Sequence, residues 1–256
     1  MLKLRVIPIL LWDGMNLIKG VGFNKERRIG SVLPAIRVFN NRLVDELVFF
    51  DVAATPENRS PDVEVVSMIA QNLFVPLTVG GGIKSIEHMR QLFSAGADKI
   101  CLNSVLFDNP KLLNEAVAIF GSQSIVVAID FERREDDFYC VRHSGAIKTK
   151  ITVSEWINFV QEAGAGEIIL TSIDRDGTFS GYELDLIKLI KNEIRVPVIL
   201  GGGFSCPKDA LDALEIVSLA GFGIGSAFFF TEQTPEMVRE YLKQAQYPVR
   251  IIGNQL

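Results

Sequence analysis

Two runs of three glycines carry the plainest chemistry in this sequence. Gly80-Gly81-Gly82 and Gly201-Gly202-Gly203 lie 121 residues apart, each directly after a short apolar run. Glycine at the end of a strand lets the backbone come close to an anion with its N–H groups free to donate. One apolar run further on, each triplet is followed by a small hydroxyl-bearing turn, Asn103-Ser104 in one case and Gly225-Ser226 in the other. Gly177, in Asp174-Arg175-Asp176-Gly177-Thr178, adds a further N–H. The expected phosphate-binding set is therefore Gly81, Gly82, Asn103, Ser104, Gly177, Gly202, Gly203, Gly225 and Ser226. Two such cradles suit a long small molecule with a phosphate at each end. The plainer alternative is that the glycines only serve tight turns; their duplication and their hydroxyl partners favour the anion.

Other chemistries find little support. The cysteines Cys101, Cys140 and Cys206 are odd in number and lack CxxC spacing, so neither a disulfide framework nor a zinc site is indicated. With His88 and His143 as the only histidines, a His-rich metal centre is excluded and a Ser-His-Asp triad is disfavoured. No metal or cofactor is expected. A net charge of −5 gives no broad basic field for nucleic acid. No apolar run approaches the roughly 18 residues of a membrane span, and the apolar N-terminus has no small-residue cleavage site, so a cytoplasmic protein is expected.

The elements that must position these groups recur in a regular order. Apolar, β-branched runs at Leu4–Leu11, Glu46–Val52, Pro76–Gly80, Lys99–Asn103, Ile125–Phe131, Glu167–Ile173, Pro197–Leu200 and Phe222–Ala227 read as strands. Amphipathic stretches between them, such as Asp62–Asn72, Ile86–Ala95, Leu112–Phe120, Val153–Ala163 and Leu184–Lys191, read as helices. Starts are marked at Ser60-Pro61, Ser85, Asn109-Pro110, Cys206-Pro207 and Thr234-Pro235. The charged segment Glu132–Asp137 reads as a solvated hairpin or loop. Eight strand–helix units favour a closed (β/α)₈ TIM barrel, and no G-x-G-x-x-G follows the first strand to support an open sheet.

An internal repeat strengthens that expectation. The offset of 121 residues between the glycine triplets is shared by Glu46-Leu47-Val48-Phe49 and Glu167-Ile168-Ile169-Leu170. Ala95-Gly96 and Asn103-Ser104 have later partners, at somewhat larger offsets, in Ala220-Gly221 and Gly225-Ser226. The expected organisation is a single domain over 1–256 built of two similar half-barrels, about 1–121 and 122–256.

The strings Thr171-Ser172-Ile173-Asp174-Arg175-Asp176-Gly177-Thr178, Thr78-Val79-Gly80-Gly81-Gly82-Ile83, Gly96-Ala97-Asp98-Lys99 and Gly121-Ser122-Gln123 before Val126-Val127-Ala128-Ile129-Asp130 are highly specific. With them the chain resembles the cyclase subunit of imidazole glycerol phosphate synthase from Arg5 to about Arg250. The resemblance implies a glutaminase partner, in a heterodimer, whose ammonia travels through the barrel interior. At the C-terminal mouth that ammonia meets a bis-phosphorylated intermediate of histidine synthesis. It also implies a gate at the N-terminal face made of Arg5, Glu46, Lys99 and Glu167, with Asp98 and Gln123 at the glutaminase interface. In the mouth it assigns catalytic roles to Asp130, Asp176 and Lys19.

The resemblance breaks at one place. Where the family has an aspartate closing strand one, this sequence has Leu11, followed by Trp12-Asp13-Gly14. A leucine can neither take up a proton nor stabilise a developing cation. Asp13 is the candidate substitute base, although its position after Trp12 matches a turn. The pattern is similar to that of second copies of this subunit found with surface-polysaccharide genes, which implies ammonia delivery to a sugar amidotransferase making acetamidino sugars. A working histidine-pathway lyase and a noncatalytic scaffold that activates the glutaminase are the two alternatives.

Overall fold

The computed structural model describes residues 3–250, apart from the side chains of residues 25 and 26. Eight parallel strands close into a barrel: β1 (Arg5–Trp12), β4 (Leu47–Asp51), β5 (Leu77–Gly80), β6 (Lys99–Leu102), β7 (Ile125–Arg134), β10 (Glu167–Ser172), β11 (Val198–Gly201) and β12 (Gly221–Ile224). The order β1-β4-β5-β6-β7-β10-β11-β12 is closed by parallel pairing of β12 with β1, with Arg5 opposite Gly221. Helices surround the barrel, giving the (β/α)₈ architecture that the sequence implies. No helix among the described residues is long and apolar enough to cross a membrane.

Side chains alternate in and out along each strand, and that alternation builds two separate cores. Val6, Leu10, Leu47, Phe49, Ile125, Val127, Ile168 and Leu170 face outward into the large core shared with the helices. Ile7, Ile9, Val48, Cys101, Val126, Ala128, Ile169 and Ile199 face inward and fill the barrel, with Leu11 and Phe50 packed above them. Each inward column therefore reads from the N-terminal face to the mouth. Arg5-Ile7-Ile9-Leu11, Glu46-Val48-Phe50, Lys99-Cys101-Asn103 and Glu167-Ile169-Thr171 place a charge at the base, apolar atoms in the middle and a mouth residue on top.

Among the described residues, two hairpins extend beyond the barrel, one in each half of the chain. β2 (Leu17–Val21) and β3 (Asn24–Gly30) follow β1, whereas β8 (Asp137–Arg142) and β9 (Ile147–Thr152) follow β7. The charged segment after the fifth barrel strand is indeed a hairpin, with Arg134 paired to Asp137. Other expectations need correction. The helix Val63–Asn72 is capped by Asp62, whose carboxylate accepts from Val65 N, rather than by Ser60-Pro61. β12 stops at Ile224, because residues 227–230 coil into a short helical turn after Ser226.

Gly81 and Gly202 show the repeat in three dimensions. Both have positive φ (103° and 80°), and a Cβ on either would lie within 2.1 Å of Asp51 O or 2.4 Å of Ser172 O. Asp51 and Ser172 are themselves 121 residues apart, so the same backbone crossing is made twice. The glycines are thus required by chain packing whatever else they do.

Candidate functional site

The four charged residues at the bases of their columns meet at the N-terminal face. Arg5 Nη1 lies 2.6 Å from Glu46 Oε2, and its other nitrogen pairs with Glu167. Lys99 Nζ bridges Glu46 at 3.0 Å and Glu167 at 2.9 Å. Thr78 Oγ1 donates to Glu46 Oε1 at 2.7 Å. Burial pushes the Glu46 carboxyl up, but Lys99 and Arg5 outweigh it and hold it below the usual glutamate range. Arg5 is raised in the same way: burial opposes, and Glu167 and Glu46 prevail. Around this ring, Asp98 is exposed and accepts from Leu77 N at 2.8 Å, and Gln123 is exposed on a 3₁₀ turn, Ser122–Ser124.

At the opposite end lies a cavity of about 370 Å³. Of the expected mouth residues, Lys19, Gly81, Gly82, Asn103, Ser104, Asp130, Asp176, Gly202 and Gly225 line it. Gly177, Gly203 and Ser226 do not; Gly177 lies beneath the β2–β3 hairpin, where its Cβ would meet Gly20 O at 2.1 Å. The Gly82 N–H donates to Thr55 Oγ1 at 3.3 Å.

Several ionisable groups lining the cavity are displaced toward their neutral forms, among them Asp130, Lys19 and Asp176. Asp130 tops the β7 column and accepts from Asn103 Nδ2 at 2.7 Å, yet burial pushes its carboxyl up to about 7. Lys19, 4% exposed, donates from Nζ to Ile9 O at 2.7 Å. Burial lowers it to about 8, with Asp176 opposing the shift. Asp176 is raised by burial, with Lys19 opposing. Groups such as Asp130 and Lys19, shifted toward pH 7 in a cleft, are what acid–base or ligand-orienting chemistry requires.

The strand-one side of the cavity is apolar. Leu11 pairs across the hairpin with Ile18, and both line the cavity with Ile9 and Phe50. Asp13 lies elsewhere. Its Oδ1 accepts from Met15 N at 2.9 Å and Asn16 N at 2.6 Å, and its Oδ2 is 3.5 Å from Arg28 Nε. Those backbone hydrogen bonds and Arg28 hold its carboxyl below the ordinary range despite slight burial, and it is not part of the cavity wall.

The sequence reading missed several lining residues. Asp51, at the end of β4, is 2% exposed and clamped by Arg59 through Nη1 at 2.5 Å and Nη2 at 2.6 Å. A carboxylate at the C-terminal end of a barrel strand is the signal that points to it. Thr171 stands opposite Asp130 in the β7–β10 register. Phe23, Lys84, His143 and Ser144 arrive on loops, which strand periodicity does not place.

A closed (β/α)₈ barrel with an ion-paired base and a mouth of proton-exchanging groups defines the class. The match with a family model described as "Histidine biosynthesis protein" covers residues 5–234. The chain is 38% identical to the imidazole glycerol phosphate synthase subunit HisF of Chlorobium limicola, over 98% of this chain and all of that one. Its identity to the subunit HisF of Pelodictyon phaeoclathratiforme is 39%, and to that of Clostridium botulinum (strain 657 / Type Ba4) 40%, again over 98% of this chain and the whole of each relative. The chain belongs to the HisF-like family of imidazole glycerol phosphate synthase cyclase subunits.

Proposed function

We propose that this single-domain barrel of two half-barrels takes ammonia at its N-terminal face from a docked glutaminase and passes it to the mouth. In this reading its task is supply to a sugar amidotransferase of surface-polysaccharide synthesis rather than cyclisation. The observation that carries the second part is Leu11. It occupies the top of the β1 column, and with Ile9, Ile18 and Phe50 it leaves the side of the cavity across from Asp130 without a free carboxylate. Asp13 is tied into a turn, and Asp51 is held through both oxygens by Arg59. General acid–base groups contribute about 10²–10⁴-fold each, so cyclisation lacks a necessary partner.

The route is supported by the inward columns. Above the Arg5–Glu46–Lys99–Glu167 ring, the interior is apolar up to the mouth. Such a lining admits neutral ammonia and rejects ammonium, whose burial is costly. Barrel interiors are packed, so passage requires the ring to part and the inner side chains to shift. The N-terminal face also exposes large apolar groups that suit a docked protein. Phe74, just before β5, is 85% exposed, and its N–H donates to Asn40 Oδ1 at the end of the helix Val32–Asn41, next to the exposed Leu43. Exposed Asp98 and Gln123 belong to the same contact surface in this reading, and the glycine cradles hold a bis-phosphorylated ligand at the mouth.

The test is ammonia-dependent cyclisation by the isolated barrel, given free ammonium at alkaline pH and the bis-phosphorylated histidine intermediate. Absent turnover in folded protein that binds the intermediate supports the proposal, and turnover at an ordinary rate overturns it. A lyase reading is favoured only by the presence of Asp130, Asp176 and Lys19 in one cavity. It requires that replacing Asp13 or Asp51 by Asn abolish such turnover.

A further inference from the structure

One turn on the mouth wall remains unexplained by packing alone. β8 and β9 are joined by a turn in which His143 (φ 54°), Ser144 (φ 54°) and Gly145 (φ 85°) are all left-handed. Two successive non-glycine residues in this region cost energy that the surroundings must supply, and such strain gathers at ligand sites. The contacts that hold the turn are specific. His143 N donates to Ser104 Oγ at 2.9 Å, and Ser144 Oγ lies 3.5 Å from Val52 O beyond β4. A Cβ on Gly145 would sit 3.3 Å from Ile173 and 3.6 Å from Phe23. Together these contacts bring His143 and Ser144 to the cavity lining beside Asn103 and Ser104.

The charges along this wall are unevenly matched. Asp108 pairs with Arg142 at 2.5 Å, Asp51 with Arg59, and Asp130 accepts from Asn103. Lys84 Nζ donates only to the Asn58 side-chain oxygen among the described residues, and the His143 ring makes no hydrogen bond to any described residue. Among the described residues, these two side chains on the wall have nitrogen donors and no carboxylate partner. Gly82, Asn103 and Ser104 are uncharged and cannot by themselves neutralise a phosphate dianion.

We propose that Lys84 and His143 are the charge-bearing ligands of a phosphate-monoester subsite on this wall, completing the cradle of Gly82, Asn103 and Ser104. The inference rests on the reading that the mouth takes a phosphorylated ligand. It adds the residues that supply positive charge and makes affinity depend on imidazole protonation. The second pKa of a phosphate monoester is near 6 and that of free imidazole near 6.5, so dianion and imidazolium coexist only in a narrow range around those values. A phosphate dianion bound against the imidazole favours its protonated form by linkage.

Because His88 and His143 are the only histidines, ring C–H proton resonances report on the site directly. They should be titrated with pH in the full chain, with and without inorganic phosphate, and assigned with His88→Gln and His143→Asn. Asparagine tolerates left-handed backbone, so the second variant keeps the turn. Phosphate should raise the His143 midpoint by about one pH unit, meaning about tenfold tighter binding to the protonated form by linkage. His143→Asn should weaken phosphate binding about tenfold at pH 6 and less at pH 8, and Lys84→Met about tenfold at both, the scale of one charge-assisted hydrogen bond. If phosphate binds but the His143 midpoint stays in place and His143→Asn binds equally well, this inference fails while the cradle reading stands. If the wild-type chain binds no phosphate at either pH, the cradle reading falls and this inference with it.

Discussion

The two ends of the barrel are built from the same inward columns, yet they treat charge in opposite ways. At the base, two cations and two carboxylates close on one another, and each is matched: Glu46 lies within reach of both Arg5 and Lys99 and stays below the ordinary glutamate range. At the mouth, charges are spread around a cavity and only partly matched. Asp130 rises to about 7, and Lys19 falls to about 8. At the base the ion pairs satisfy one another within the ring. A mouth whose groups sit near pH 7 is where proton traffic or ligand binding belongs. The contrast sharpens between column tops, because the inward column of β7 is topped by Asp130 whereas that of β1 is topped by Leu11.

The largest expected effect comes from erasing that contrast. Leu11→Asp restores a carboxylate at the top of the β1 column, across from Asp130. Ammonia-dependent cyclisation by the isolated barrel should then rise by about 10²–10⁴-fold. An unchanged rate would mean that the asymmetry at the mouth is not what limits the chemistry.

A smaller effect separates the two ends by stability. Glu46→Ala removes one member of the buried ring and leaves Lys99 and Arg5 short of a partner, so urea denaturation should show a loss of about 3–5 kcal/mol. Asp130→Asn, by contrast, removes a carboxyl that burial already disfavours and should leave stability at pH 7 equal or higher. If both variants lose the same amount, the division between a closed ring and a loosely matched mouth fails.

Much of this arrangement is legible in the sequence because strand alternation carries it. Once Arg5, Glu46, Lys99 and Glu167 stand at strand starts, a period of two dictates that Ile7, Val48, Cys101 and Ile169 follow inward and that Leu11, Phe50, Asn103 and Thr171 reach the mouth. Asp51 breaks that rule: the period puts it in the outward register with Leu47 and Phe49, yet it lines the cavity, held by Arg59 from a loop eight residues later. Loops obey no such period. The seat of the β2–β3 hairpin on Asp176 and Gly177, through Gly22 N to Asp176 O at 2.9 Å, follows from contacts that local pattern does not encode. The same holds for the turn that delivers His143. Asp13 illustrates the reverse error: it lies next to the strand-one end in sequence, but a turn hydrogen-bonded to Asn16 points it elsewhere.

The smallest effect is a dependence of stability on pH that belongs to the mouth. Asp130 titrates near 7 when folded and near 3.9 when unfolded. Between pH 4 and 7 the folded chain therefore holds a proton that the unfolded chain has released. Stability must fall as pH rises through this window, and the contribution is flat below 4 and above 7. In the ring, the shift of Glu46 has the opposite sign and acts at the acid end of the range. Glu46 is depressed, so its contribution is present above the ordinary glutamate value and is lost only as pH falls through its lower folded pKa. Lys19, lowered to about 8, acts in a separate range, adding stability as pH rises from 8 toward its unfolded value. Asp176 shifts in the same direction as Asp130, so the informative quantity is the difference between wild type and Asp130→Asn. Measured by urea denaturation at pH 4.5 and pH 7, the variant should gain about 1–2 kcal/mol relative to wild type across the interval, within the limit of about 1.4 kcal/mol per unit. Parallel curves would place the Asp130 proton in solvent at neutral pH, and the mouth would then hold its charges as firmly as the base does.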